Sequence, residues 1–145
     1  MIALLQRVAC ASVMVNDRSI AAIDAGLCVF IGVEKSDAEN NARRMARRLC
    51  SYRVFPDEAG RMNLSIQDTH GELLLVPNFT LAADTRKGTR ASFTPAAPPE
   101  LAEHLFDMLG KELHSACPAT KAGQFGANMQ VELVNDGPAT FLLRA

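Results

Sequence analysis

The chain has 145 residues, a formal net charge of −1, 48% hydrophobic residues and 21% charged residues. That length suits one domain, residues 1–145, with room for a real core, and the composition excludes a disordered chain. The near-neutral balance excludes the global basic field of many nucleic-acid binders, so any RNA contact must come from a local patch.

In chain order, Ile2–Val8 and Ser12–Val15 read as strands, Asn16-Asp17-Arg18 as a turn and Ser19–Ile23 as the return. The V-A-C-A-S around Cys10 superficially suggests a signal-peptide cleavage region. Arg7 interrupts the apolar stretch before it, though, and no basic segment precedes it. Leu27–Val33 is a nearly continuous apolar run, as expected of a strand buried on both faces. Ser36-Asp37-Ala38-Glu39 matches a capping box and predicts a helix to about Tyr52. Ala42, Met45, Ala46 and Leu49 form its inner stripe, and Arg43, Arg44, Arg47 and Arg48 face away.

Asp57–Arg61 reads as a turn and Leu73–Leu81 as a second buried strand. Ala82–Pro99 shows no apolar periodicity and carries Arg86, Lys87, Gly88 and Arg90; long irregular stretches in a compact domain are usually functional. Pro98-Pro99 opens a helix to about Ser115, with Leu101, Ala102, Leu105, Leu109 and Leu113 at helical spacing. Ala127, Met129, Val131 and Leu133 alternate with polar residues as a strand, and Ala139–Leu143 supplies the last one. Asn135-Asp136-Gly137 between them predicts a hairpin, although Pro138 follows where a returning strand would start. The sum is a mixed α/β domain with a largely antiparallel sheet and two main helices.

Cys10, Cys28, Cys50 and Cys117 are scattered in mostly apolar surroundings, so buried reduced thiols are expected, as in a cytoplasmic protein. His70, His104 and His114 form no ligand motif, and neither a metal nor a cofactor is expected. No stretch approaches the length of a membrane span. No G-x-S-x-G occurs, which leaves Pro77–Thr85 at the end of a buried strand as the place to look for chemistry. There Thr80 is either a β-branched strand residue or a nucleophile, and a nucleophile needs an adjacent base. The four helix arginines are either a solvated face or a phosphate contact; Arg86 and Lys87 could add to the latter.

The opening M-I-A-L-L-Q-R-V, then G-V-E-K, Y-R-V-F, M-N-L, F-T-L-A-A-D-T and the closing N-D-G-P-A-T-F occur in the order and spacing of one family. Over essentially its whole length the chain resembles the D-aminoacyl-tRNA deacylases. The resemblance implies a barrel-like sheet and a homodimer acting on the acceptor end of aminoacyl-tRNA. The reaction implied is hydrolysis of the ester joining a D-amino acid, or glycine mischarged on tRNA-Ala, to the terminal adenosine.

The resemblance also implies that Gly137-Pro138 is a Gly-cisPro motif reaching into the partner's site, excluding L-amino acids by collision, with Arg7 bracing it. A trans preference of only about 0.5–1 kcal/mol makes cis attainable in a firmly held turn. Phe79 and Thr80 match the catalytic wall, their amides serving as oxyanion donors while the tRNA's own 2′-hydroxyl assists the attacking water. Asn78 and Met129 match pocket positions. The family's S-Q-F-T-L stands here as Pro77-Asn78-Phe79-Thr80-Leu81. A related branch also carries that proline, holds its Gly-Pro trans and acts on an L-amino-acid mischarge. Alternatives are a tRNA-binding or dimerisation module without catalysis, and a small-molecule hydrolase or deaminase with a subunit-interface site.

Overall fold

A computed structural model describes residues 1–145. Strands β1 (Ile2–Val15), β2 (Arg18–Ile23) and β3 (Gly26–Gly32) form an antiparallel start in which β1 pairs with both of the others. Asn16 and Asp17 turn the chain between β1 and β2 with φ of 48° and 60°. Two successive positive φ values give the tight hairpin twist that matches strand twist, and Asn and Asp tolerate them best after glycine. Helix α1 (Glu39–Ser51), the small ribbon β4 (Phe55–Pro56) and β5 (Met62–Leu64), and the short α2 (Ile66–Thr69) then lead to β6 (Glu72–Pro77).

β6 lies parallel to β3, Leu27 facing Leu73 through Ile31 facing Pro77. After a 3₁₀ turn (Phe79–Ala82), helix α3 (Pro99–Ala116) leads to β7 (Thr120–Ala122), parallel to β6. Parallel neighbours need long crossovers, and α1 and α3 sit in the two crossovers and pack on each other. The final strand β8 (Gln130–Arg144) runs antiparallel along β1. β2 also approaches β6 and β7, and Lys121 Nζ donates to the Ala22 carbonyl at 2.6 Å, so the sheet curls nearly into a barrel.

One face carries the main core: Ala3, Leu5, Val29, Ile31 and Leu75 of the sheet meet Met45, Leu49, Leu105 and Leu109 of the helices. A smaller cluster on the other face joins Val8, Val13, Ile23, Leu74 and Val76. The expected inner stripe of α1 is fully buried, because apolar residues at i, i+3, i+4 and i+7 share one face.

Several boundaries differ from the sequence reading. β1 is a single strand, since β8 pairs with both of its halves. The expected hairpin at Asp136-Gly137 does not exist: the chain continues in the same direction, and the segment loops out of β8 as a bulge. Gln6 faces Thr140 while Val8 faces Asn135, so four β8 residues stand opposite one β1 residue, Arg7. Asp-Gly-Pro is as good a bulge as a turn when a partner strand runs past both of its ends. The Gly137–Pro138 peptide is trans, correcting the expected cis bond, as no cis peptide occurs in the chain. Pro138 is exposed on this bulge, so no packing offsets the intrinsic trans preference.

The expected capping box at Ser36 is also replaced. The helix starts after Ala38, whose N–H donates to Asn41 Oδ1 at 3.0 Å. Asp37 is drawn instead to the Met1 amino group and the Glu34 amide. β6 ends at Pro77 rather than Leu81, because the chain winds into the 3₁₀ turn. The 82–99 stretch is anchored by bridges Asp84–Ser92 and Glu34–Ala96. β4, β5, β7 and α2 are short elements without a periodic signal of their own.

Candidate active site

In a sheet with parallel neighbours, ligand sites gather beyond the carboxyl ends of the strands. Here β3 and β6 end side by side, at Gly32 and Pro77. The Asn78 N–H donates to the Ile31 carbonyl at 2.8 Å, and a β-carbon on Gly32 would stand 2.8 Å from Leu81 Cβ. Glycine at 32 is therefore what lets the turn press onto the end of β3.

Over this end opens a cavity of about 630 Å³, mostly apolar, reached by Pro77, Asn78 and Phe79 on one side and Met129 and Val131 on another. The start of α3 (Pro99, Ala102) and Phe125 complete it. This volume lies within the range of small-ligand sites. Asn78, Phe79 and Met129, expected from the sequence at one site, are brought together here. Phe125 and Phe30 were missed: Phe30 belongs to the Leu27–Val33 run, read only as a buried strand, and Phe125 lies in a loop with no periodic pattern.

Thr80 is exposed beside the cavity. Asn78 Oδ1 caps the turn, accepting from the Thr80 N–H at 3.2 Å and from the Thr80 hydroxyl. A carboxamide oxygen is no base, so the Thr80 hydroxyl has no group to take its proton. Of the two amides expected as oxyanion donors, Phe79's is the one free of this cap.

Gly137, Pro138 and Arg7 do not line this cavity. Arg7 follows Ala3 and Leu5 at the two-residue period of β1, onto the helix-covered face. Only 8% exposed, it donates through Nη1 to the Val54 carbonyl at 2.6 Å. Its Nε donates to the Asp136 carbonyl at 3.0 Å and pairs with the Asp136 carboxylate at 3.2 Å. Gly137 has φ of +92°, and a β-carbon there would run into Arg7 Nη2. The bulge is thus pinned at its base by one buried guanidinium, while Gly137 and Pro138 project outward, exposed.

The candidate RNA-contacting cations are unequal. Arg43 is paired with Glu39 at 3.0 Å and Glu112 at 3.6 Å, and Arg48 donates to the Arg144 carbonyl. Arg44 and Arg47 are exposed and make no ion pair. Arg86 forms a two-point pair with Asp84, at 2.9 and 2.7 Å, which holds the Asp84 carboxyl down to about 2 and raises Arg86. Lys87 and Arg90 share a second, polar cavity with that pair and have no carboxylate partner. No group of three or more His, Cys, Asp or Glu side chains is placed to hold a metal ion.

Residues 4–144 match the family model described as D-Tyr-tRNA(Tyr) deacylase. The chain is 54% identical over 143 residues to the D-aminoacyl-tRNA deacylase of Dichelobacter nodosus, covering 99% of both chains. It is 57% identical over 143 residues to that of Thioalkalivibrio sulfidiphilus, covering 99% of this chain and 96% of the relative. Among solved structures, one named c-Myc DNA Unwinding Element Binding Protein superposes with TM-score 0.95 at 38% identity, covering 100% of this chain and 99% of the other. A probable eukaryotic D-amino acid tRNA deacylase shares the fold at TM-score 0.87 and 15% identity, covering 99% and 98%. With a cavity at the end of the parallel strand pair, a pinned Gly-Pro bulge and a match along its whole length, the chain belongs to the D-aminoacyl-tRNA deacylase family.

Proposed function

We propose that this chain hydrolyses the ester of D-aminoacyl-tRNA, and of glycine mischarged on tRNA-Ala, as a cytoplasmic homodimer. Family membership over the full length supports the reaction. The observation that carries the mechanism is the Phe79–Ala82 turn, which offers the uncapped Phe79 main-chain amide at the cavity and no titrating side chain.

The terminal aminoacylated adenosine enters the cavity beside Phe79 and Met129. Water attacks the ester carbonyl, and the charge forming on its oxygen is stabilised by the Phe79 amide. The Thr80 amide joins it where Asn78 releases its cap. Collapse expels the ribose 3′ oxygen, which takes up the proton lost by the water. The products are the free amino acid and tRNA. The neighbouring 2′-hydroxyl of the substrate is placed to assist, so no protein base is required. Thr80 acts as a positioning residue.

Gly137 and Pro138 project away from their own cavity, and the cavity they serve is that of a second copy. Inserted there, a rigid main-chain wall leaves room for hydrogen but not for the side chain of an L-amino acid. Such selection works by exclusion, and it tolerates any D side chain and also glycine. Four decades of selectivity require about 5–6 kcal/mol, a magnitude within reach of a steric clash. Arg44, Arg47 and Lys87 supply phosphate contacts to the tRNA. Pro77 and the trans Gly137–Pro138 bond favour a second reading, editing of an L-amino-acid mischarge, since both are features of the branch with that activity.

The test is release of amino acid from matched D- and L-aminoacyl-tRNA, with glycyl-tRNA alongside. Release of D with L spared supports the first reading, and release of a mischarged L ester with D spared supports the second. No release from any ester overturns both and leaves a tRNA-binding module. In the D-selective case, Pro138→Ala narrows the D/L ratio; an unchanged ratio removes the gate from the mechanism.

A further inference from the structure

Three features adjoin one another beside the cavity. Phe79 lines it, yet the residue is 60% exposed, and its ring rests on that of Phe93, a residue 45% exposed. The centroids are 5.1 Å apart at 57°. Ser92, the residue next to Phe93, lines the polar cavity that holds Arg86, Lys87 and Arg90. The segment is a fixed shape: the Asp84 and Ser92 backbones exchange hydrogen bonds at 2.8 and 3.0 Å, and the Ala96 N–H donates to the Phe93 carbonyl at 3.0 Å. Asp84 neutralises Arg86, while Lys87 and Arg90 stay uncompensated.

Two large aromatic rings exposed together are costly in water unless a partner covers them. Aromatic rings beside unpaired cations are the surface that single-stranded nucleic acid selects, bases on the rings and phosphates on the cations. A cavity of about 630 Å³ accommodates a terminal aminoacyl-nucleoside, and the exposed Phe79 on its lining offers the strand that carries it a way out past Phe93.

The geometry points to a strand-exit track: the unpaired nucleotides immediately 5′ of the terminal adenosine stack on Phe93 and Phe79, and their phosphates are held by Lys87 and Arg90. This inference rests on the editing reading above and adds a subsite outside the reacting pocket. It makes the enzyme a reader of a single-stranded acceptor end and not only of an aminoacyl ester.

The experiment compares two substrates that share the ester, D-aminoacyl-tRNA and D-aminoacyl-adenosine, on wild type and Phe93→Ala. The expected result is a KM increase about tenfold larger on the tRNA than on the adenosine ester, in keeping with the loss of one stacked base. Phe93→Trp retains the wild-type ratio, and Phe93→Leu, apolar but without a π face, does not. Lys87→Ala with Arg90→Ala makes tRNA binding less sensitive to salt, lowering the logarithmic slope by about 1–2. Equal losses on both substrates, or none, overturn the track, as does an unchanged salt slope. Hydrolysis of neither ester by wild type overturns the editing reading itself, and the track with it.

Discussion

The Asn78–Thr80 turn and the Asp136–Pro138 bulge both leave strands of one sheet, but they are held by different kinds of contact. The turn is capped locally, a side chain bonding to a backbone amide two residues away, and it sits on the end of β3 through the Asn78 N–H. The bulge is held from a distance, by an arginine 129 residues earlier that also grips the Val54 carbonyl. A local device fails locally, whereas a distant clamp couples the bulge to the core. Variants at the two places should therefore differ both in size of effect and in what is lost.

Arg7→Ala should give the largest effect. It leaves the Val54 carbonyl without its donor and frees Asp136, and lost charged hydrogen bonds with a buried group left unpaired cost about 3 kcal/mol. Denaturant unfolding measures this directly. If the bulge gates the partner's cavity, deacylation falls by about a hundredfold as well, the scale expected when a site element loses its position. Stability lost with activity kept would separate the clamp from the gate.

Gly137→Ala comes next. At φ of +92° an L side chain costs about 1–2 kcal/mol, and this β-carbon also meets Arg7 Nη2. The fold survives, with a lowered unfolding midpoint and a disturbed D/L ratio. A midpoint equal to wild type would mean that Arg7 yields and that the clamp is soft.

These two residues also show what the sequence could and could not reveal. The stripe Ala42, Met45, Ala46 and Leu49 and the run Leu27–Val33 were legible because burial imposes a period that neighbours in sequence share. Asp136-Gly137-Pro138 was misread as a hairpin because its local chemistry suits a reversal. What decides between turn and bulge is β1 running past on one side, with Arg7 opposite the extra residues. No window of sequence contains that pairing. Asn78 and Phe79 were placed at a site by resemblance to a family, and Phe93 carried no signal at all. Its role depends on a ring 14 residues earlier coming to rest against it, which only the folded 3₁₀ turn and the Asp84–Ser92 bridge bring about.

Asn78→Ala tests the local device. Loss of a capping side chain costs about 1 kcal/mol, and the effect stays within the turn and the cavity. Thr80→Ala keeps that backbone bond and removes only the hydroxyl that also donates to Asn78 Oδ1. If Thr80 only positions the turn, most activity remains; loss of a true nucleophile costs roughly 10⁶-fold. A collapse of that size would reverse the assignment made here.

The smallest effect is a labelling pattern that probes the bulge side without disturbing it. Cys10 is exposed on β1 opposite Val134, at the second register shift between β1 and β8, whereas Cys28, Cys50 and Cys117 are buried. Burial pushes the Cys28 thiol up to about 12 and the Cys50 thiol, which lies against Cys117, to about 12 as well. Alkylation proceeds through the thiolate, so at pH 8 one thiol should react in the folded chain and four after unfolding. The sign of the pH dependence follows: the Cys28 and Cys50 thiols stay protonated in the folded chain while the same two ionise from about pH 9 when unfolded, so stability falls as pH rises above 9. Slower alkylation of Cys10 as protein concentration rises would place a second copy over β1 and β8, beside the bulge. A rate independent of concentration would place the bulge's partner elsewhere.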